Sequence, residues 1–280
     1  MKKGNNKPLR FDTRKNVRSM RVKRFAAAFS CFFVLLGGIS FLLLLRYYNF
    51  DLSAIGSPAE ETTVEETTLK PEPQVSGSYR CLLLCTADSS NEVRFAAILH
   101  ADMEALELSV TPLDSSKVLN YGGCNGNLSA QLDFGGEKQL VSALEAADSI
   151  KIDKFMRSTD SSFKSLINSF GGFETTVEEA IDVRSDKLTA IIGAGKQSMT
   201  GDTLLKYLRY YENEPNKQAG IIADIIEQEI TPANFKKADS HYTRVINLVK
   251  SDISVVDFAG VKTGIDALLY SGEAVKVNVK

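Results

Sequence analysis

Tryptophan is absent from the 280 residues, and only two histidines and four cysteines occur. His100 and His241 lie far apart and have no partner ligands at metal-binding spacing, so a histidine-built metal centre is not expected. Cys31 sits in an apolar run, Cys81 and Cys85 flank a leucine run, and Cys124 lies in a Gly-rich loop. Residues four apart on a strand are roughly 13 Å apart, too far to bridge. Three cysteines outside the apolar run do not make a disulfide framework. Basic charge is also scarce once the N-terminus is set aside. Residues 1–24 carry ten Lys/Arg against one acid, Asp12, whereas the rest, Arg46 apart, carries 34 acidic and 22 basic side chains. A body with that balance is a poor match to nucleic acid, whose phosphates need a basic surface. A phosphate-loop reading of Gly195-Lys196-Gln197 fails as well. The position five before Gly195 is Ala190, and the one after Lys196 is Gln197 rather than Ser or Thr. A turn leading into a helix capped by Thr200 or Asp202 is expected there instead.

What is present begins with one long apolar stretch. Residues 25–45 (FAAAFSCFFVLLGGISFLLLL) contain no charge, and a helix of that length crosses a hydrocarbon core of about 30 Å. Arg24 and Arg46 bracket it, and Tyr47 and Tyr48 stand where interfacial aromatics belong. The run is longer than a cleaved secretory signal requires, which favours an uncleaved anchor. The basic tail 1–24 then stays in the cytoplasm by the positive-inside rule, and everything after the span lies outside. Residues 46–78 hold Pro58, Pro71, Pro73 and a Thr/Glu-rich stretch, the composition of a solvated tether. Localisation is thus expected at the cell membrane, single-pass, with an extracytoplasmic domain over 79–280.

In that domain strand-like and helix-like runs alternate. Residues 80–86 (RCLLLCT) form a short apolar run suited to a strand buried on both faces. Residues 93–100 and 106–111 are further strand candidates. Apolar spacing predicts helices over 137–147, 161–170, 203–210 and 220–230, the second ended by Gly171-Gly172. Alternation at 274–279 predicts a final edge strand. Strands interleaved with helices give an α/β or α+β sandwich of about 200 residues.

Several segments in this order resemble the LytR-CpsA-Psr family of cell-envelope proteins. Ile152-Asp153-Lys154-Phe155-Met156 through Phe163-Lys164-Ser165-Leu166-Ile167-Asn168-Ser169-Phe170-Gly171-Gly172 is similar to the family's "IDYYV…F..LIDALGGV" segment. Gly195-Lys196-Gln197-Ser198-Met199-Thr200-Gly201 with Tyr207-Leu208-Arg209 resembles "GxQxLxGxxALxYxR". Leu82-Leu83-Leu84 with Asp88 resembles "LLLGxD", Thr111-Pro112-Leu113-Asp114 resembles "IPRD", and Asp133-Phe134-Gly135-Gly136 matches an aromatic-Gly-Gly turn. The likeness runs from about Tyr79 to about Ser254. It implies a mixed central sheet flanked by helices, in a membrane-anchored phosphotransferase that moves glycopolymer from a polyprenyl pyrophosphate carrier onto peptidoglycan. Implied partners are a polyprenyl-phosphate lipid or glycolipid, peptidoglycan or a secondary wall polymer, and the membrane.

Such chemistry needs an apolar slot for the lipid, cations for the pyrophosphate, and Mg²⁺ on carboxylates. By resemblance, Asp88 and Glu92 are the metal-binding and catalytic carboxylates, with Asp114 beside them, and Arg209, Lys217 and Gln218 are the pyrophosphate ligands. Several positions depart from the pattern. The arginine of "IPRD" is Leu113, the second arginine of "YxRxR" is Tyr211, and "RxxRQ" aligns with Glu214-Pro215-Asn216-Lys217-Gln218. Loss of one preorganised donor typically costs about 10²–10³ in rate, so several such losses predict weakened or lost catalysis. Arg94, Arg157 and Arg184 could supply replacement charge, but the sequence does not aim them. Three readings stay open: a lipid-binding or scaffolding member with weakened or lost catalysis, a working phosphotransferase with a rearranged site, and a tethered sensor or regulator.

Overall fold

The computed structural model describes residues 75–270, 272 and 275–280. The basic tail, the apolar run 25–45 and the tether up to residue 74 lie outside the described residues. Among the described residues no helix is long and apolar enough to cross a membrane.

The elements in chain order are β1 (Ser78–Thr86), β2 (Val93–Asp102), β3 (Glu107–Leu113), β4 (Leu119–Tyr121), β5 (Cys124–Gly126), α1 (Leu128–Asp148), β6 (Lys154–Thr159) and α2 (Asp160–Ser169). There follow β7 (Phe173–Val177), β8 (Ile181–Arg184), β9 (Thr189–Ile192), β10 (Gly195–Met199), α3 (Gly201–Tyr210) and α4 (Pro215–Glu229). The chain closes with α5 (Pro232–Phe235), α6 (Ala238–Ile246), β11 (Lys250–Ser251), α7 (Val255–Tyr270) and β12 (Val277–Val279). Six strands make one mixed sheet in the order β11-β6-β1-β2-β3-β12. β1 pairs antiparallel with β2 and parallel with β6, and β12 lies parallel to β3 at the edge.

Strand alternation divides the sheet's side chains between two apolar layers. Leu82, Leu84, Ala96 and Ile98 pack with Leu140 and Leu144 of α1 on one face. Cys85, Phe95 and Ala97 pack with Phe163 of α2, Leu204 and Leu208 of α3 and Ile222 of α4 on the other. The result is helix, sheet and helix in three layers, the central mixed sheet flanked by helices that the resemblance implies. β1 is central and buried on both faces, which is why its leucine run is nearly continuous.

Two backbone irregularities shape the region around the end of β1. The β1–β2 register shifts between Cys85 and Thr86: Cys85 faces Phe95 and Thr86 faces Val93. Arg94 is therefore the extra residue of a bulge, a device that re-aims a side chain. The second is a kink in α1. Gly136 has φ +70° and ψ −160°, a backbone essentially restricted to glycine, so the aromatic-Gly-Gly segment breaks the helix and leaves Phe134 exposed.

Residues 195–199 depart from expectation. They form a strand rather than a turn, because β10 pairs along its whole length with β7; Thr200 then caps α3 through Thr203 N–H.

Candidate functional site

The loop 87–92 leaves the carboxyl end of the central strand and returns into β2, closed by an Ala87 N–H to Glu92 C=O bond of 2.9 Å. Asp88 crosses to the start of α2, where Ser161 N–H and Ser161 Oγ–H donate to its two oxygens at 2.8 and 2.6 Å. Those bonds hold its carboxyl below the ordinary value, and a helix N-terminus favours the same charged form. Glu92 accepts from Arg94 at 2.6 Å, and the same guanidinium reaches Asp160 at 3.4 Å. On the other side of the loop, Arg157 donates to Glu137 at 2.9 Å, to Thr86 Oγ1 at 3.1 and 3.2 Å, and to Asn91 Oδ1 at 2.6 Å. Lys250 Nζ holds the second oxygen of Glu137 at 2.8 Å. The loop bearing Asp88 is thus clasped between two half-buried arginines, each already bound to carboxylate.

The other expected site residues are engaged elsewhere. Gln218 is buried, and its side-chain amide donates to Arg94 C=O at 3.0 Å and Leu208 C=O at 2.9 Å, tying α4 to β2 and α3. Arg209, in the last turn of α3, donates to Lys187 C=O at 2.6 Å in the turn between β8 and β9, and its Nε is buried without a partner. Lys217 pairs with Glu178 at 3.0 Å. Asp114 closes its own turn, accepting from Ser116 N–H and Oγ–H at 2.8 and 2.6 Å. Asp88 and Glu92 therefore share one loop, and Gln218 reaches that region through the Arg94 backbone. Among the described residues no hydrogen bond or ion pair joins Arg209, Lys217 or Asp114 to them. Arg184 pairs with Asp182 in an exposed hairpin. Sequence alone does not aim Arg94 and Arg157. For Arg94 the signal available was a charge inside the apolar run of β2; β6 offers no such contrast for Arg157.

Mg²⁺ takes near-octahedral oxygen ligation; here the Asp88 oxygens accept from Ser161 and a Glu92 oxygen accepts from Arg94. Among the described residues no group of three or more His, Cys, Asp or Glu is disposed to hold a metal.

On the same sheet face as α2 lies an apolar cavity of about 350 Å³. Tyr79, Cys81 and Leu83 of β1 and Leu99 of β2 form its floor, and Phe258 and Ile265 of α7 face them. Burial pushes the Cys81 thiol up to about 12, so it is an inert wall group. The Tyr79 hydroxyl is buried there without a partner. α2 links the two regions. Its first turn holds Asp88, and Phe170 at its C-terminal cap lines the cavity. Ten helical residues span about 15 Å, so polar loop and apolar chamber stand one short helix apart.

Residues 116–279 match the model of the LytR_cpsA_psr family. A curated relative, the polyisoprenyl-teichoic acid–peptidoglycan teichoic acid transferase TagU of Bacillus licheniformis, is 22% identical over 165 residues, 56% of this chain and 53% of that protein. The chain thus spans about half the length of that relative. Among solved structures, a transcription regulator-like protein from Eubacterium siraeum aligns with TM-score 0.65 and 19% identity, covering 80% of this chain and 89% of the other. TagV of B. subtilis aligns with TM-score 0.58 and 20% identity, covering 74% and 85%. These structural likenesses show a common fold.

Proposed function

The chain belongs to the LytR_cpsA_psr family, and from that premise we propose that it is a membrane-tethered cell-envelope protein that holds a polyprenyl-(pyro)phosphate-linked glycopolymer, or scaffolds its attachment to the wall, with weakened or lost catalysis. The relative TagU is named for a polyisoprenyl-linked substrate and a peptidoglycan acceptor. The observation that carries the proposal is the apolar cavity one helix length from the Asp88 loop. Each methylene moved from water into such a space contributes about 0.8 kcal/mol, so a few isoprene units suffice for stable retention. The apolar run 25–45 supplies the tether.

Weakened transfer follows from the charges at the loop. Developing negative charge on a pyrophosphate needs cations aimed at it and free to respond. Leu113, Tyr211 and Glu214 stand where the family pattern has arginines. Arg94 and Arg157 are nearby but already neutralised by Glu92, Asp160 and Glu137.

A second reading, a working transferase with a rearranged site, is favoured by one observation: Asp88 is kept ionised beside the Arg94–Asp160 pair. Both readings meet one experiment. Full-length chain purified in detergent is extracted and its lipids identified by mass spectrometry, and the same preparation is incubated with polyprenyl-pyrophosphate glycan, peptidoglycan and Mg²⁺. Retained polyprenyl phosphate without transfer supports the binding role. Turnover that disappears in Asp88→Ala establishes the second reading, and absence of any prenyl lipid removes the first.

A further inference from the structure

A second cleft, of about 520 Å³, lies on the opposite face of the sheet from the apolar cavity. Its floor is a row of polar side chains next to apolar rows of the same face. Arg80 of β1 stands directly across from His100 of β2, and His100 directly across from Ser109 of β3. The neighbouring rows on the same face, Leu82 with Ile98 and Leu84 with Ala96, are core residues under α1. The cleft opens just beyond them, with Lys117 and Asp148 on its wall.

The charged groups lining this cleft are mostly spent on one another. Lys117 holds Asp148 at 2.6 Å, Lys280 holds Glu107 at 3.3 Å, and Asp114 faces Ser116. Two groups are not spent. Among the described residues the Arg80 guanidinium makes no hydrogen bond or ion pair, and His100 Nε2 is buried with no partner. A buried polar atom without a partner costs free energy comparable to a lost hydrogen bond, and here it adjoins an unpaired guanidinium whose five donors suit an oxyanion.

We propose that Arg80, His100 and Ser109 form a second binding site, which takes the oxyanion of a hydroxylated ligand such as a sugar phosphate or a sugar carboxylate. Arg80 grips two oxygens, a turn of the half-buried His100 ring brings its now inward Nε2 to one of them, and the Ser109 and Thr111 hydroxyls meet the ligand's own hydroxyls. The site is separated from the apolar cavity by the full thickness of the sheet, so the proposal goes beyond the lipid-binding role and does not depend on it. The imidazole already feels its surroundings. Burial first, and then Arg80 and Lys280, lower its pKa, against the opposing pull of Asp102 and Asp153. An oxyanion in the cleft would reverse that balance and favour the protonated ring.

The chain itself provides a clean readout, because it has only two histidines. His241 packs edge-on against Phe170 on the other face and lines the apolar cavity, so it serves as an internal control. Full-length chain labelled with [¹³C]histidine is titrated by NMR in detergent with inorganic phosphate, glycerol 1-phosphate or glucuronate, and His241→Gln assigns the two signals. The expected result is a rise in the His100 titration midpoint and a saturable shift of its signal, with His241 unmoved. Stronger response to the phosphates identifies a phosphorylated ligand, and stronger response to glucuronate a carboxylated one. Arg80→Gln should raise the Kd about tenfold or more, with Arg80→Lys between it and wild type. Failure of His100 to respond to all three probes, equal movement of both histidines, or an unchanged Kd in Arg80→Gln would each overturn the site.

Discussion

Glu137 keeps a charge although only 9% of its side chain is exposed, because Arg157 and Lys250 each hold one of its oxygens. Burial alone would raise its pKa, but the Lys250 and Arg157 hydrogen bonds outweigh that and lower it. Removing one member of a buried pair leaves the other uncompensated, at about 3–5 kcal/mol. Lys250 is largely exposed and loses little, so the burden falls on Arg157, itself 16% exposed. Glu137→Gln is therefore expected to lower stability by about 3 kcal/mol, measured by urea unfolding at neutral pH. The pH dependence has a defined sign. A carboxyl whose folded pKa is depressed contributes stability that is complete above its unfolded value, here 4.5, and is lost as pH falls through the lower folded value. Wild type should lose its advantage over Glu137→Gln in that acid window; a constant difference down to the lowest pH would show that charge is not the cause.

At the scale of elements, α2 and α3 cross where Gly201 begins the second helix. A Cβ on Gly201 would run into the backbone of Lys164, its carbonyl oxygen first, and backbone cannot yield as a flexible side chain can. Gly201→Ala is expected to cost about 2–3 kcal/mol by overpacking, read as a lowered denaturation midpoint with unchanged slope. No loss would mean that the helices separate freely. That crossing sits inside the segment resembling the family pattern, and in this chain it requires a glycine at residue 201. The strands β1 to β3 were legible because their apolar runs are short and bounded by polar loops. β6 was not, since its sequence, Lys154–Thr159 (KFMRST), sets one apolar pair among charged and hydroxyl residues without alternation and gains its place only by pairing with β1, more than seventy residues earlier. The functional loop shows the same limit. Asp88 and Glu92 were visible as residues, but their partners arise from a bulge at Arg94 and from a strand that sequence did not announce. Helix α7 escaped for a different reason. Phe258, Val261 and Ile265 form one stripe facing the chamber, but Val255 and Val256 are apolar and exposed, which blurs the pattern.

For the whole molecule, the chamber is the feature that an isolated fold has no use for. Packed interiors tolerate few voids larger than a water molecule, and apolar wall left uncovered forgoes about 25 cal/mol per Å² of the stabilisation that burial supplies. A natural chain that keeps about 350 Å³ open against its central strand gives up stability that hydrocarbon could restore. Two measurements test that exchange. Ile265→Trp places extra aromatic volume into the chamber from α7, where open space receives it, so the chain should still fold, with a thermal midpoint in the lipid-free state at or above that of wild type. The same substitution should remove the prenyl lipid that copurifies with wild type, because ring and chain compete for one space. Added polyprenyl phosphate should raise the midpoint of wild type by mass action and leave Ile265→Trp unmoved. If the variant instead retains its lipid while folding normally, the hydrocarbon is held somewhere other than between β1 and α7, and the cavity loses its claim to explain the fold.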